Sequence, residues 1–208
     1  HKPPYVPADG HARAVVAAAN ADLAIVFVGS PDAYETEGLD RPSMRLTGNQ
    51  DELVAKVAQA NPNTVVVVNA GTPVEMPWVN QVPAILWAYF PGQEGGNALA
   101  DILTGAVNPS GKLPLTLPAR IEDNPTFINY PGDRSILYGE DIFIGYRYYD
   151  ARKIEPLFPF GHGLSYTQFT YSELNCPPSI HQGEPVEISF TIRNDGNRSG
   201  SEVAQVYL

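Results

Sequence analysis

Thr64-Val-Val-Val-Val-Asn69 decides the fold. Four valines in succession, with Asn61-Pro-Asn63 before them and turn residues after, read as a short strand buried on both faces, the pattern of a parallel sheet. Leu23-Ala-Ile-Val-Phe-Val28 and Ala84-Ile-Leu-Trp-Ala-Tyr89 repeat that pattern on either side in the chain. Helical stretches alternate with the three runs. Ala12 to Asn20, rich in Ala and Val without Gly or Pro, precedes the first. Leu53, Val54, Val57 and Ala58 mark one face of a helix between the first and second, opened by Thr47 with Gln50 in capping-box spacing and ending near Asn61-Pro62. Asn97-Ala-Leu-Ala-Asp-Ile-Leu103 follows the third run behind a Gly-rich turn. The expected fold class is α/β, a mostly parallel sheet flanked by helices and covered on both faces.

Working outward, the segment from Asn108-Pro-Ser-Gly111 to about Phe160 is rich in proline and tyrosine and has no helical period. It predicts an extended connector packing across the α/β domain. Beyond Gly161-His-Gly-Leu-Ser-Tyr166, alternating strands are expected over Phe169 to Leu174, Val186 to Ile192 and Glu202 to Leu208, with Asn194-Asp-Gly-Asn197 as a turn. Such strands resemble the first part of an antiparallel β-sandwich. The expected division is residues 1–118 for the α/β domain, incomplete at its N-terminus, 119–164 for the connector, and 165–208 for a partial β domain. A start at His1 and an end inside an alternating pattern are what a segment of something longer would give.

The 208 residues carry 13 Lys and Arg against 23 Asp and Glu, a formal charge of −10. That balance argues against nucleic acid or an anionic membrane surface as partner. No apolar run reaches the roughly 18 residues of a membrane span. Cys176, the one cysteine, forms no internal disulfide and leaves the redox compartment open.

The densest ionisable cluster is Tyr34-Glu-Thr-Glu-Gly-Leu-Asp-Arg41, inside an aperiodic stretch from Gly29 to Gly48 just after the first strand. Open α/β sheets place their ligand loops there, and connections of that length are usually functional. Glu35, Glu37 and Asp40 supply carboxylates for acid/base work, and Arg41 can hold one of them ionised. The bland alternative is a solvated acidic loop. Gly92-Gln-Glu-Gly-Gly96 lacks the Lys-Ser/Thr of a phosphate loop and reads as a tight strand-to-helix turn. His162 has no ligand at metal spacing, so no metal is expected, and Ser30 and Ser165 lie outside any nucleophile-elbow pattern, which argues against a Ser-His-Asp hydrolase; no cofactor is expected either. Tyr138, Phe143, Tyr146, Tyr148 and Tyr149 read as a packing surface before a sugar platform. Asn197-Arg-Ser199 is a glycosylation sequon, meaningful only in a eukaryotic secreted protein.

Taken in order, three motifs resemble the family 3 glycoside hydrolases, and among them the β-glucosidases. Glu35-Thr-Glu-Gly-Leu-Asp-Arg41 with Leu46 and Gln50 resembles that family's acid/base loop. Phe90-Pro-Gly-Gln-Glu-Gly-Gly96 through Asn108-Pro-Ser-Gly-Lys-Leu-Pro114 is similar to the signature of its α/β-sandwich domain. Ile144-Gly-Tyr-Arg-Tyr-Tyr-Asp150 and Pro156 to Thr167 look like the linker into its fibronectin type III-like domain. The resemblance implies a retaining enzyme that removes terminal β-D-glucosyl residues through a covalent intermediate. It makes Glu37, the glutamate before the glycine, the acid/base, with Glu35 its rival on the same loop. Glu35 and Arg41 would tune or orient it, Tyr34 and Leu39 would line the aglycone subsite, and Asp40 would join the substrate contacts. The nucleophile and most glucose contacts would come from an N-terminal (β/α)8 barrel, in the same or a second chain, and a homo-oligomer is compatible with the reading. A β-xylosidase of the same family, a non-catalytic structural or binding module, and a free-standing nucleotide binder of flavodoxin-like topology are the competing readings.

Overall fold

The computed structural model describes residues 9–207. They form two compact units: the chain up to Gly95 with Leu115–Pro159, and Gly96–Pro114 with the chain from Phe160 onward.

In the first unit, helix α1 (Gly10–Ala19) leads into strand β1 (Ala24–Gly29), helix α2 (Gln50–Ala60), strand β2 (Thr64–Asn69) and strand β3 (Ala84–Trp87). The three strands form a parallel sheet in the order β1-β2-β3, with Ala24 opposite Thr64 and Val65 opposite Ala84. The valine run therefore occupies the central strand. Val66, Val67 and Val68 are fully buried there.

Burial on both faces was expected of all three runs, and only β2 meets it. In β1, Val26 and Val28 are buried while Ile25 and Phe27 are 40% and 59% exposed. The cause is the layer arrangement: α2 packs on β1 and β2, α1 packs on α2, and among the described residues nothing comparable covers the alternate positions of β1. Val54, Val57 and Ala58 supply the buried face of α2, as their spacing predicts. Asn61 ties the layers together: its Nδ2 donates to the Ala18 and Ala21 carbonyls, and its Oδ1 accepts from the Asn63 N–H.

The capping-box expectation fails in an instructive way. Helix α2 begins at Gln50 itself, after Asn49, which makes no side-chain cap bond. The Gln50 amide instead clasps the end of β1, accepting from the Gly29 N–H at 2.8 Å and donating to the Gly29 carbonyl at 2.9 Å, and it donates to the Thr47 carbonyl at 2.9 Å. The long loop is thus pinched shut between the end of β1 and the start of α2.

Residues 119–159, expected as an extended connector, are mostly turns and bends, with a 3-10 turn at Ile121–Asp123 and one short helix, α4 (Tyr146–Arg152), that the sequence reading missed. Gly145 at φ 52° and a left-handed Lys153 bracket α4, and Tyr149 is its buried residue. Tyr148 meets Tyr149 edge to face, whereas Tyr138 is 83% exposed, so packing accounts for only part of the aromatic set.

The second unit holds helix α3 (Gly95–Leu103, which starts in the first unit) and an antiparallel pair, β4 (Phe169–Asn175) and β5 (Ser189–Asn194), with a register shift between Ser172 and Asn175. Asn108 organises it, donating to the Ser199 carbonyl and accepting from the Ser165 hydroxyl and the Tyr166 N–H. Lys112 pairs with Glu202 at 3.0 Å and donates to the Gly163 carbonyl. The strand expected over Glu202 to Leu208 is irregular through Tyr207, and Leu208 lies outside the described residues. Alternation alone does not make a strand without a neighbour to receive its hydrogen bonds. The turn at Asn194 is present: its Oδ1 accepts from the Gly196 N–H and the Thr167 hydroxyl.

Candidate active site

The loop between Gly29 and Gln50 leaves the C-terminal edge of the parallel sheet and carries no helix or strand of its own. Its second half is anchored in the core by Met44 and Leu46, which are 8% and 5% exposed. In its first half Thr36 and Leu39 pair antiparallel, so Glu37 and Gly38 occupy the centre of a four-residue turn. Gly38 takes φ 81° with open space around it, the conformation that the third position of a tight turn reserves for glycine.

Immediately before the turn, the Glu35 carboxylate reaches back to the loop after β2. Its Oε2 accepts from the Gly71 N–H at 2.8 Å, and its Oε1 accepts from the Thr72 hydroxyl at 2.8 Å and from Arg41 Nη1 at 3.3 Å. Arg41 also donates to Thr72 Oγ1, to the Pro73 carbonyl at 3.1 Å and to the Ser43 carbonyl at 3.2 Å, and its guanidinium lies over the Tyr34 ring. Both charged side chains are largely buried, Glu35 at 7% and Arg41 at 14% exposure. A methyl group at Gly71 would stand 2.6 Å from the Phe90 ring and 3.0 Å from the Glu35 carboxylate, so only glycine admits both neighbours. Glu37, by contrast, is exposed.

These residues border an open cavity of about 640 Å³. Tyr34, Glu35, Glu37, Leu39, Asp40 and Arg41, the whole set singled out from sequence, line it. The structure adds residues the sequence reading missed: Gly71, Thr72 and Pro73 from the end of β2, Phe90 from the end of β3, and Ile121 and Asn124 from the connector. The signal for the first group was available in Gly71-Thr-Pro73, a turn directly after the central strand, where a parallel sheet delivers its functional loops. Asp40 makes its own bond at the rim, accepting from the Tyr130 hydroxyl at 2.6 Å. Tyr130 consequently holds its proton to a higher pH than a free phenol, chiefly through that bond.

The Gly92-Gln-Glu-Gly-Gly96 turn has Gly92 at φ 70°, and a side chain at Gly95 would strike the Pro91 ring at 2.6 Å. Tight backbone geometry accounts for these glycines. In the second unit His162 is held toward its neutral form by burial, with Lys112 adding to the effect. No group of three or more His, Cys, Asp or Glu among the described residues is arranged to hold a metal ion.

Residues 7–166 match the model of the glycosyl hydrolase family 3 C-terminal domain. The chain belongs to that family. A probable beta-glucosidase I from Emericella nidulans is 48% identical over 202 residues, which cover 94% of this chain and 24% of that protein. A thermostable beta-glucosidase B from Acetivibrio thermocellus is 48% identical over 194 residues, 92% of this chain and 26% of that protein. Among solved structures, the beta-glucosidase from Kluyveromyces marxianus in complex with glucose superposes with a TM-score of 0.85 at 42% identity, covering 92% of this chain and 22% of that one. The beta-glucosidase 3B from Thermotoga neapolitana in complex with glucose superposes with a TM-score of 0.79 at 35% identity, covering 91% and 28%. The family 3 chain spans about a quarter of the length of these relatives. The α/β class expected from the valine runs and the family resemblance both hold.

Proposed function

We propose that this chain is part of a retaining β-glucosidase acting on terminal non-reducing β-D-glucosyl residues, and that Glu37 is its general acid/base. The observation that carries the reading is the division of labour between two glutamates on one loop. The Glu35 oxygens are occupied by Gly71, Thr72 and Arg41, whereas Glu37 stands exposed at a turn beside an open cavity. A group that must exchange a proton with substrate and then with water has to be reachable by both. Glu37 meets that demand.

In the first step Glu37 gives its proton to the glycosidic oxygen while a carboxylate nucleophile, on an N-terminal (β/α)8 barrel outside this chain, attacks the anomeric carbon. The aglycone leaves as an alcohol and the sugar becomes esterified to the nucleophile. In the second step the Glu37 carboxylate takes a proton from a water that attacks the same carbon, releasing glucose with its configuration retained. Such a pair works with the two carboxyl groups about 5–5.5 Å apart. Tyr34 and Leu39 line the cavity, where this reading puts the departing aglycone, and Glu35 and Arg41 hold the loop in place.

The test is Glu37→Gln in the full-length polypeptide, assayed on an alkyl β-glucoside and on an activated dinitrophenyl β-glucoside. Turnover of the alkyl glucoside, whose leaving group requires a proton, is expected to fall by about 10²–10⁴-fold. Glycosylation by the activated substrate is expected to be nearly spared. Equal losses on both would count against the acid/base role.

A further inference from the structure

Glu37 makes no hydrogen bond or ion pair with the described residues, so its position depends on what holds the chain to either side of it. Glu35 and Arg41 bind at one place, the Gly71–Pro73 turn. A hairpin held at one place can swing about that place. The second point of attachment is Asp40, three residues beyond Glu37, whose Oδ2 accepts the Tyr130 hydroxyl proton at 2.6 Å across 90 residues of sequence.

We infer that Tyr130 is a positioning residue for Glu37, acting through the carboxylate of Asp40. The inference rests on the acid/base reading above and adds a residue from the connector to the working site. The phenol is well placed for this task because its own backbone is tied down. Asn124 Oδ1 accepts from the Thr126 N–H at 3.0 Å, and the N–H groups of Asn129 and Tyr130 both donate to the Thr126 carbonyl at 2.9 Å. The segment that carries Tyr130 also places Asn124 on the cavity rim. The ring itself is 43% exposed, so the residue is not retained there to fill the core. A bond between a phenol and a carboxylate is short and directional, and with the attachment at Gly71–Pro73 it fixes the turn at two separated points. A displacement of about 1 Å in a catalytic group costs as much as 10²-fold in rate, so the effect on chemistry can exceed the small effect on folding.

The experiment uses the full-length polypeptide with Tyr130→Phe, Asp40→Ala, the double variant, and Glu37→Gln. Each is assayed for kcat and KM on aryl β-glucosides whose leaving phenols span a wide range of acidity. Tyr130→Phe is expected to lower kcat/KM, which reports the glycosylation step, about 10-fold for the least acidic phenols and within about 2-fold for the most acidic. KM for the least acidic phenols should stay within about 2-fold, and the unfolding midpoint should barely move, since only one hydroxyl of a half-exposed residue is lost. Asp40→Ala should match it, and the double variant should lose no more than the single ones, because both remove the same tether. Equal loss of kcat/KM across all leaving groups, or additive losses in the double variant, would overturn the inference. A steep leaving-group response in Glu37→Gln with a flat one in Tyr130→Phe overturns this inference alone. A flat response in Glu37→Gln overturns the acid/base assignment and this inference with it.

Discussion

The base and the tip of the loop between Gly29 and Gln50 are built to opposite specifications. At the base, Glu35 and Arg41 are nearly buried, and the Glu35 carboxylate and the two terminal nitrogens of Arg41 are spent on each other and on Gly71, Thr72, Pro73 and Ser43. At the tip, Glu37 is exposed and has no partner among the described residues. A buried ion pair is expensive to desolvate and contributes little net stability, but breaking it is costly, and that asymmetry makes it a good anchor. An unpartnered carboxylate contributes nothing to folding and is free for chemistry. Residues of one chemical type, two positions apart, are therefore expected to fail in different ways when changed.

The sharpest contrast is between activity and stability. Glu37→Gln should lose about 10²–10⁴-fold in turnover of unactivated glucosides while moving the unfolding free energy by less than about 0.5 kcal/mol, which paired kinetic and thermal measurements would check. Next in size, Glu35→Gln should destabilise the unit by about 2–3 kcal/mol in denaturant titration, because Arg41 is left without its counter-ion and one of the Glu35 acceptors becomes a donor. If the two variants were equally stable, the distinction between base and tip would fail. Gly71→Ala should cost roughly 1–3 kcal/mol, since the new methyl group must push aside the Phe90 ring or the Glu35 carboxylate. Smallest is the response to alkali. The hydrogen bond to Asp40 raises the Tyr130 pKa above its ordinary value of 10. The tether is thus intact below pH 10 and is lost as pH rises through the raised value, the folded state binding more protons than the unfolded one in that interval. Tyr89, Tyr149 and Tyr171 also ionise late, so ultraviolet titration should show several late-ionising phenols, of which Tyr130→Phe removes one.

The sequence made the sheet legible because Thr64 to Asn69 and its two companions combine β-branched residues with sharp turn punctuation, and neither signal depends on distant partners. Helix α4 was not legible: Tyr146–Arg152 is seven residues of mostly aromatic and charged character, bounded by positive-φ backbone at Gly145 and Lys153 rather than by sequence-evident caps. Gln50 misled for a related reason, since the spacing from Thr47 fits a local cap while the amide is used across 21 residues at Gly29. The site was legible as a loop and as a set of residue types. Which glutamate is spent on structure was not, because the deciding partners, Gly71 and Thr72, lie 36 and 37 residues away and meet Glu35 only through the parallel pairing of β1 with β2.

Azide rescue tests the central claim most directly. In the full-length polypeptide, Glu37→Ala and Glu35→Ala would each be assayed with an activated aryl β-glucoside, with and without sodium azide. Azide needs no general base, so it can replace the water that Glu37 activates and capture the sugar from the covalent intermediate. We predict that azide accelerates Glu37→Ala and yields β-glucosyl azide of retained configuration, while Glu35→Ala gains nothing. Rescue of Glu35→Ala, with Glu37→Ala unresponsive, would contradict the account by exchanging the roles of base and tip.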